Sequence, residues 1–230
     1  MRSAAASLAG AVEREVRLAV DAICPTEWLA AVGKAFEDAY PHVSLHVRSD
    51  VLGGVVDLVA RGQVDLAVCG PEGITRPVLD ARFLFELEMV PVVAATHPLA
   101  RRPGPLDQPD LVGARQIVIG RRGKDDPDGD RAVLSPTTWR VADAATKREL
   151  ILAGLGWGNL PRVMVEGDLA AGRLARLRIA AFGDAPLRVR LHRLTRRDQA
   201  LGPAAQWLAE HLHACPPDGG GRTRADAKAP

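Results

Sequence analysis

Apolar residues along the first third of the chain recur in two alternating rhythms. Val16 to Asp21 (VRLAVD) carries a β pattern closed by Ala22-Ile23-Cys24-Pro25. Trp28, Leu29, Val32 and Phe36 then recur at helical spacing, in a segment ending near Tyr40-Pro41. Pro25 suits the first turn of that helix, with Thr26 or the residues just before it as cap. From Val43 to Val47 the apolar Val43, Leu45 and Val47 alternate with Ser44 and His46, which predicts a strand with one covered face. Gly53-Gly54 opens a short helix to about Arg61, and Val64 to Val68 forms a third strand closing at Cys69-Gly70. A β-α-β-α-β order is that of a parallel sheet with helices on its faces.

Phe83 to Ala95 is a β stretch far longer than the strands before it, long enough to cross from one lobe to another. Beyond His97-Pro98-Leu99 the alternation repeats more loosely. Strands are predicted at Arg115–Gly120, Trp139–Ala142, Leu155–Leu160 and Leu174–Leu177, with helices at Ala144–Ala153 and from Pro161 to about Ala170. Arg121 to Arg131 is a mixed-charge, Gly/Pro-broken loop, expected to be solvated. Leu187 to Arg193 returns the chain to the first lobe, where Leu201, Ala205, Leu208 and Leu212 form one face of a closing helix. The expected layout is one lobe over residues 15–93 plus 193–215, a second over 94–192, and a tail over 216–230 with no core-forming residue, expected to be disordered.

Composition narrows the function classes. The chain has 230 residues, 47% of them hydrophobic, and 30 Lys+Arg against 28 Asp+Glu. The net charge is therefore only +2. Such a chain has no long-range basic field, and no nucleic-acid binding by this chain alone is expected. Cys24, Cys69 and Cys215 are odd in number and widely spaced, which argues against a disulfide framework or a zinc site. Met1 to Val12 reads as an Ala/Leu-rich helix rather than a secretory signal, and no apolar run is long enough to span a membrane. A cytoplasmic address is expected. His-Glu-x-x-His, Walker and Gly-x-Ser-x-Gly motifs are missing from the sequence. Gly154, Gly156 and Gly158 lack phosphate-loop spacing and are expected to permit tight turns and close packing. No enzyme activity, cofactor or metal is expected.

Several stretches together resemble the effector-binding domain of LysR-type transcriptional regulators. VRLAVDAICPTEWLAAVGKAFEDAYPHVSLHV is similar to that family's opening strand, helix and second strand, and GGVVDLVARGQVDLAVCG to its next helix and strand. VVAATHPLA resembles its crossing strand, and AGLGWGNLPRVMVEGDLAAGRLARL its Ala-Gly-Leu-Gly-x-x-x-Leu-Pro segment and following turn. The resemblance covers roughly residues 15 to 214. It implies an α/β fold of the type 2 periplasmic-binding-protein kind, with two Rossmann-like lobes joined by two crossing strands. It also implies a small-molecule effector and a homodimer or higher homo-oligomer. Residues 1–14 then read as the remnant of a linker helix. The family's winged helix-turn-helix is absent, and DNA would be reached only through such an N-terminal domain.

In open parallel sheets, ligands sit beyond the carboxyl ends of the strands. Those positions are Asp21, Cys24 and Thr26, Leu52, Gly53 and Gly54, and Cys69 in the first lobe. In the second they are Asp143, Ala145 and Thr146. Free backbone N–H groups at Thr26, Gly54 and Ala145 favour an anion, whereas Asp21 and Asp143 suit a cationic or hydroxylated effector. The sign of the ligand stays open. So does the alternative that the threonines only cap helices and the aspartates bond their own loops. Cys24, just before a helix N-terminus, is a candidate for a redox pair with Cys69, or both are inert buried thiols. Val93, His97 and His192 fall at the expected crossings as hinge candidates. The helix bearing Trp28 and Phe36 is expected to face a partner's second lobe. Rival readings are a solute-binding protein of the same fold and a ligandless dimerisation domain. The latter is kept alive by Gly53-Gly54, where the family commonly carries hydroxyl residues.

Overall fold

The computed structural model describes residues 12–51, 53–120 and 132–213. The amino-terminal helix, the Arg121–Arg131 loop and the 216–230 tail expected from sequence lie outside the described residues.

Strand β1 (Glu15–Asp21) is buried along nearly its whole length, because parallel strands flank it on both sides. These are β2 (Ser44–Asp50) and β3 (Leu66–Cys69), connected by helices α1 (Thr26–Ala39) and α2 (Gly53–Ala60). The next strand, β4 (Leu79–Ala94), has sixteen residues and a reach of about 50 Å at the usual strand rise. A short helix α3 (Gln108–Leu111) leads into β5 (Gln116–Ile119), β6 (Thr138–Val141), helix α4 (Ala144–Leu152) and β7 (Trp157–Pro161). Helix α5 (Arg162–Ala170), β8 (Leu174–Arg176), β9 (Leu187–Arg196) and helix α6 (Pro203–His211) complete the chain. The strand order is β2-β1-β3-β9-β4-β7-β5-β6, with β8 also on β4.

Two strands cross between the halves. β4 runs antiparallel to β9 from Leu79 opposite Arg196 to Met89 opposite Leu187. At Met89 it passes to β7, and by Val92 it also pairs with β8. Pro91 stands at this exchange, where a residue without an amide hydrogen costs no ladder bond to β9. The lobes therefore join at Met89 and Leu187, not at Val93, His97 and His192. Val93 lies inside the second lobe opposite Trp157. His97 caps the 3-10 turn Pro98–Arg101, its Nδ1 accepting the Leu99 N–H. His192 lies inside the first lobe, opposite Cys69.

Each lobe packs helices on both faces of its part of the sheet. In the first, Trp28, Val32 and Phe36 of α1 and Leu208 and Leu212 of α6 and its C-cap cover one face, while Val55, Val56 and Val59 of α2 cover the other. In the second, Ile117, Ile151, Leu160 and Val165 form one cluster and Leu99, Leu111, Trp157 and Ile179 another. Trp28 and Phe36 are thus core residues, 2% exposed each, and do not offer a surface to a partner. Three short helical turns, at Pro98–Arg101, Gln108–Leu111 and Ala180–Phe182, carry too little periodicity to be read from sequence.

Candidate functional site

The carboxyl ends of β1 and β3 face those of β5 and β7 across a cavity of about 430 Å³. The first lobe contributes Asp21, Ile23 and the turn Gly70-Pro71-Glu72; the second contributes Val118, Ile119, Val133, Lys147 and Asn159. Met89 and Leu187 to Arg190, from the two crossing strands, close its base. Beside the cavity the lobes touch directly, the Ala144 N–H donating to the Ala22 carbonyl at 3.1 Å. The cavity has the size and largely apolar lining of a small-molecule site.

Most polar groups around it are committed to the fold. The buried Asp21 carboxylate accepts the N–H groups of Ile23, at 3.1 Å, and of Gly70. Burial pushes its pKa up to about 6, with Glu72 and Asp50 adding to the rise. Gln116 donates to the Ala132 carbonyl at 2.7 Å and accepts from the Leu134 and Ser135 amides, so it pins the segment leading into β6. Arg188 donates to Glu86 at 3.1 Å, and Arg190 pairs with the same carboxylate at 3.8 Å while stacking on Phe83.

Among the described residues, two groups lining the cavity have unmet demand. Lys147 is 6% exposed, and among the described residues its ammonium has no hydrogen bond or ion pair. Burial alone pulls its pKa down to about 7. The second is Asn159, whose buried Oδ1 accepts no hydrogen bond. Lys147 fits because Gly158 has no side chain: a Cβ there would stand 2.6 Å from Lys147 Cε. Asn159 follows Gly158 in β7 and so projects from the opposite face of that strand. Both residues line the cavity.

Of the residues singled out in the sequence, Asp21 lines this cavity. Thr26 is exposed at the start of α1 and its hydroxyl donates to Glu27 at 3.3 Å. The Gly54 amide is not free for an anion; it donates to the Val51 carbonyl at 3.0 Å, and Gly54 packs against the Asp50 carboxylate. Gly53 sits beside it at the start of α2, away from the cavity lining. Leu52 lies outside the described residues. Asp143 caps α4, accepting from the Thr146 N–H at 2.7 Å and the Thr146 hydroxyl at 2.9 Å. These bonds commit both residues to the helix terminus, and Ala145 faces solvent beside them. Cys24 and Cys69 are buried in different core clusters. Burial first, and then the Asp21 charge, holds both thiols well above their ordinary range, in the direction opposite to the thiolate expected at the α1 N-terminus.

Lys147, Asn159 and Met89 were not singled out in the sequence. For Lys147 a signal existed. Ala144, Lys147 and Ile151 are the buried residues of α4, so the lysine occupies the apolar face at i, i+3, i+7 spacing. A lysine there has to be paired, snorkelled or used.

Among the described residues no helix is long and apolar enough to cross a membrane. Residues 9–215 match the family model described as the LysR substrate binding domain. An uncharacterised HTH-type transcriptional regulator YeeY from Escherichia coli K12 is 31% identical over 174 residues, covering 74% of this chain and 55% of YeeY. The chain thus spans about half the length of that relative. The regulatory domain of MetR, a LysR family regulator from Neisseria meningitidis, superimposes with a TM-score of 0.67 at 22% identity, covering 87% of this chain and 92% of that one. The effector-binding domain of QuiR in complex with shikimate superimposes with a TM-score of 0.66 at 16% identity, covering 87% and 95%.

Proposed function

The chain belongs to the LysR substrate-binding-domain family, and from that premise we propose that the inter-lobe cavity is its sensing site. The chain is the effector-binding domain of a LysR-type regulator, with the type 2 periplasmic-binding-protein fold. LysR-type regulators as a family control transcription and are not in general enzymes. In the proposed reading, a small effector enters the cavity and shifts the population of lobe orientations about Met89 and Leu187. A cytoplasmic homodimer or higher homo-oligomer would pass that shift to DNA-reading domains of the whole regulator. Residues 15–93 with 193–215 would move as one body and 94–192 as the other.

The observation that supports this most is where the cavity walls come from. Both lobes and both crossing strands line it, so any molecule filling it contacts every part that moves when the lobes reorient. The Ala144–Ala22 hydrogen bond gives the closed arrangement a contact of its own to lose.

A thermal-shift screen of small acids, amines and neutral compounds tests the reading. A ligand at 100 times its dissociation constant should stabilise the fold by about 2.7 kcal/mol. Val133→Trp, which fills the cavity from the second lobe, should abolish the shift and leave the oligomer intact. A ligand that binds Val133→Trp as well as it binds the parent protein would place the site elsewhere.

A further inference from the structure

Resting on the cavity being the sensing site, the charge and hydrogen-bonding pattern of its walls specify what kind of molecule it takes. Four of its polar groups already have partners: Asp21 with two backbone amides, Gln116 with the backbone of residues 132–135, and Arg188 and Arg190 with Glu86. Glu72 is likewise engaged. Among the described residues, what is left unsatisfied is one cation with its N–H donors, Lys147, and one acceptor, Asn159 Oδ1. Between them lie aliphatic side chains, among them Val118, Ile119 and Val133.

A buried ammonium without a counter-charge is strongly disfavoured, because it gives up its hydration for nothing in return. Ordinary packing would place a hydrophobic residue there, as Ala144 and Ile151 do on the same face of α4. The fold instead leaves out a side chain at Gly158 to make room for the lysine. An amine effector would leave Lys147 unpaired and add a second positive charge. A neutral one would dry the cavity further and favour loss of the lysine's proton without giving it a partner. A carboxylate removes the deficit, and a hydroxyl or N–H elsewhere on the same molecule meets Asn159.

We propose that the cavity binds a small organic acid, its carboxylate paired with the Lys147 ammonium and a hydroxyl or N–H group donating to Asn159 Oδ1. The acid enters as the anion, and its aliphatic or aromatic body packs on the valine and isoleucine wall. The specificity element is one lysine supplied by the middle of a helix, and not the helix N-terminus, where Ala22 and Asp143 take the Ala144 and Thr146 amides.

The test uses matched sets: hydroxy acids such as mandelate and 3-hydroxybutyrate, their uncharged amides, their deoxy analogues and the corresponding amines. Binding is read by calorimetry and thermal shift on the wild-type chain, Lys147→Met and Asn159→Leu. Lys147→Met should fold at least as well as wild type, so loss of binding in it is not loss of structure. The expected result is that an acid binds, its amide binds at least about tenfold more weakly, and Lys147→Met loses the difference. Asn159→Leu should erase the preference for the hydroxy acid over its deoxy analogue. If amides or amines bind as well as the acids and Lys147→Met is indifferent, the organic-acid assignment is overturned while the sensing cavity stands. If no member of any set binds, the assignment and the sensing cavity fall together.

Discussion

Lys147 and Gly158 share one space: a Cβ on Gly158 would lie 2.6 Å from Lys147 Cε and equally close to the Ile117 carbonyl oxygen. The glycine therefore serves both the approach of β7 to β5 and the seating of the lysine. Gly158→Ala should destabilise the fold by about 1–3 kcal/mol, the usual cost of overpacking a tight core. It should also abolish acid binding by displacing the lysine. Urea titration measures the first and calorimetry the second. Unchanged stability would mean that the two strands part easily, and the close packing would then not define the site.

Lys147 should make stability depend on pH. Its pKa falls from 10.5 to about 7 on folding, because burial disfavours the ammonium. Between those values the unfolded chain holds the proton and the folded chain does not, so stability rises with pH across that window and is lowest below pH 7. Lys147→Met removes the buried charge. The variant should gain on the order of a few kcal/mol over wild type at pH 6, with the advantage shrinking toward pH 10. Denaturant midpoints at pH 6, 8 and 9.5 follow it. An advantage independent of pH would show that the ammonium is not the cause.

Asp21 should act in the same range of experiments with its own window. Its pKa rises from 3.8 to about 6, burial being the main cause. The folded chain holds the proton more tightly there, so this contribution to stability is full below pH 3.8 and is lost as pH rises through 6. Asp21→Asn keeps an acceptor for one backbone amide and never ionises. It should be more stable than wild type at pH 7 and lose that advantage by pH 4, as thermal melts at the two values would show.

The Asp168 carboxylate is fully buried on α5, where the Nε atoms of Arg148 and Arg173 donate to it at 2.7 and 2.8 Å. Asp168→Ala should cost about 3 kcal/mol, at the low end for a broken buried ion pair because Arg173 is half exposed and can rehydrate. Chemical denaturation checks this, and a loss under about 1 kcal/mol would show that both guanidinium groups find water.

Cys24 and Cys69 should stay reduced. The nucleophile in thiol oxidation is the thiolate, and burial together with the Asp21 charge suppresses it at both positions. Mass spectrometry after mild peroxide should find neither residue modified in the folded chain. Modification of either, at a rate comparable with the urea-unfolded chain, would restore a redox role.

Much of the architecture was legible because it rests on local periodicity. The four-residue spacing of Trp28, Val32 and Phe36 and the near-continuous apolar run of β1 identify their elements whatever they pack against. β4 was readable as the crossing strand because a strand of that length has no place within one small lobe. Its true start at Leu79 was hidden, because Asp80 and Arg82 break the apolar run and only pairing with β9 makes them strand residues.

The order of the main helices and strands and the two-lobed class were determined by the sequence by itself. Each follows from periods, lengths and turn residues that act over a few positions. Only the tertiary structure decided which polar side chains face the cavity and which are consumed nearby. Asp143, Thr146 and the Gly54 amide satisfy one another or their own loops, a choice that depends on distances of a few ångströms no spacing encodes. Lys147 is left without a partner among the described residues because folding set its helix against a glycine in a strand that the chain reaches later. Desolvation, which gives that lysine its meaning, does not exist until the lobes close around it.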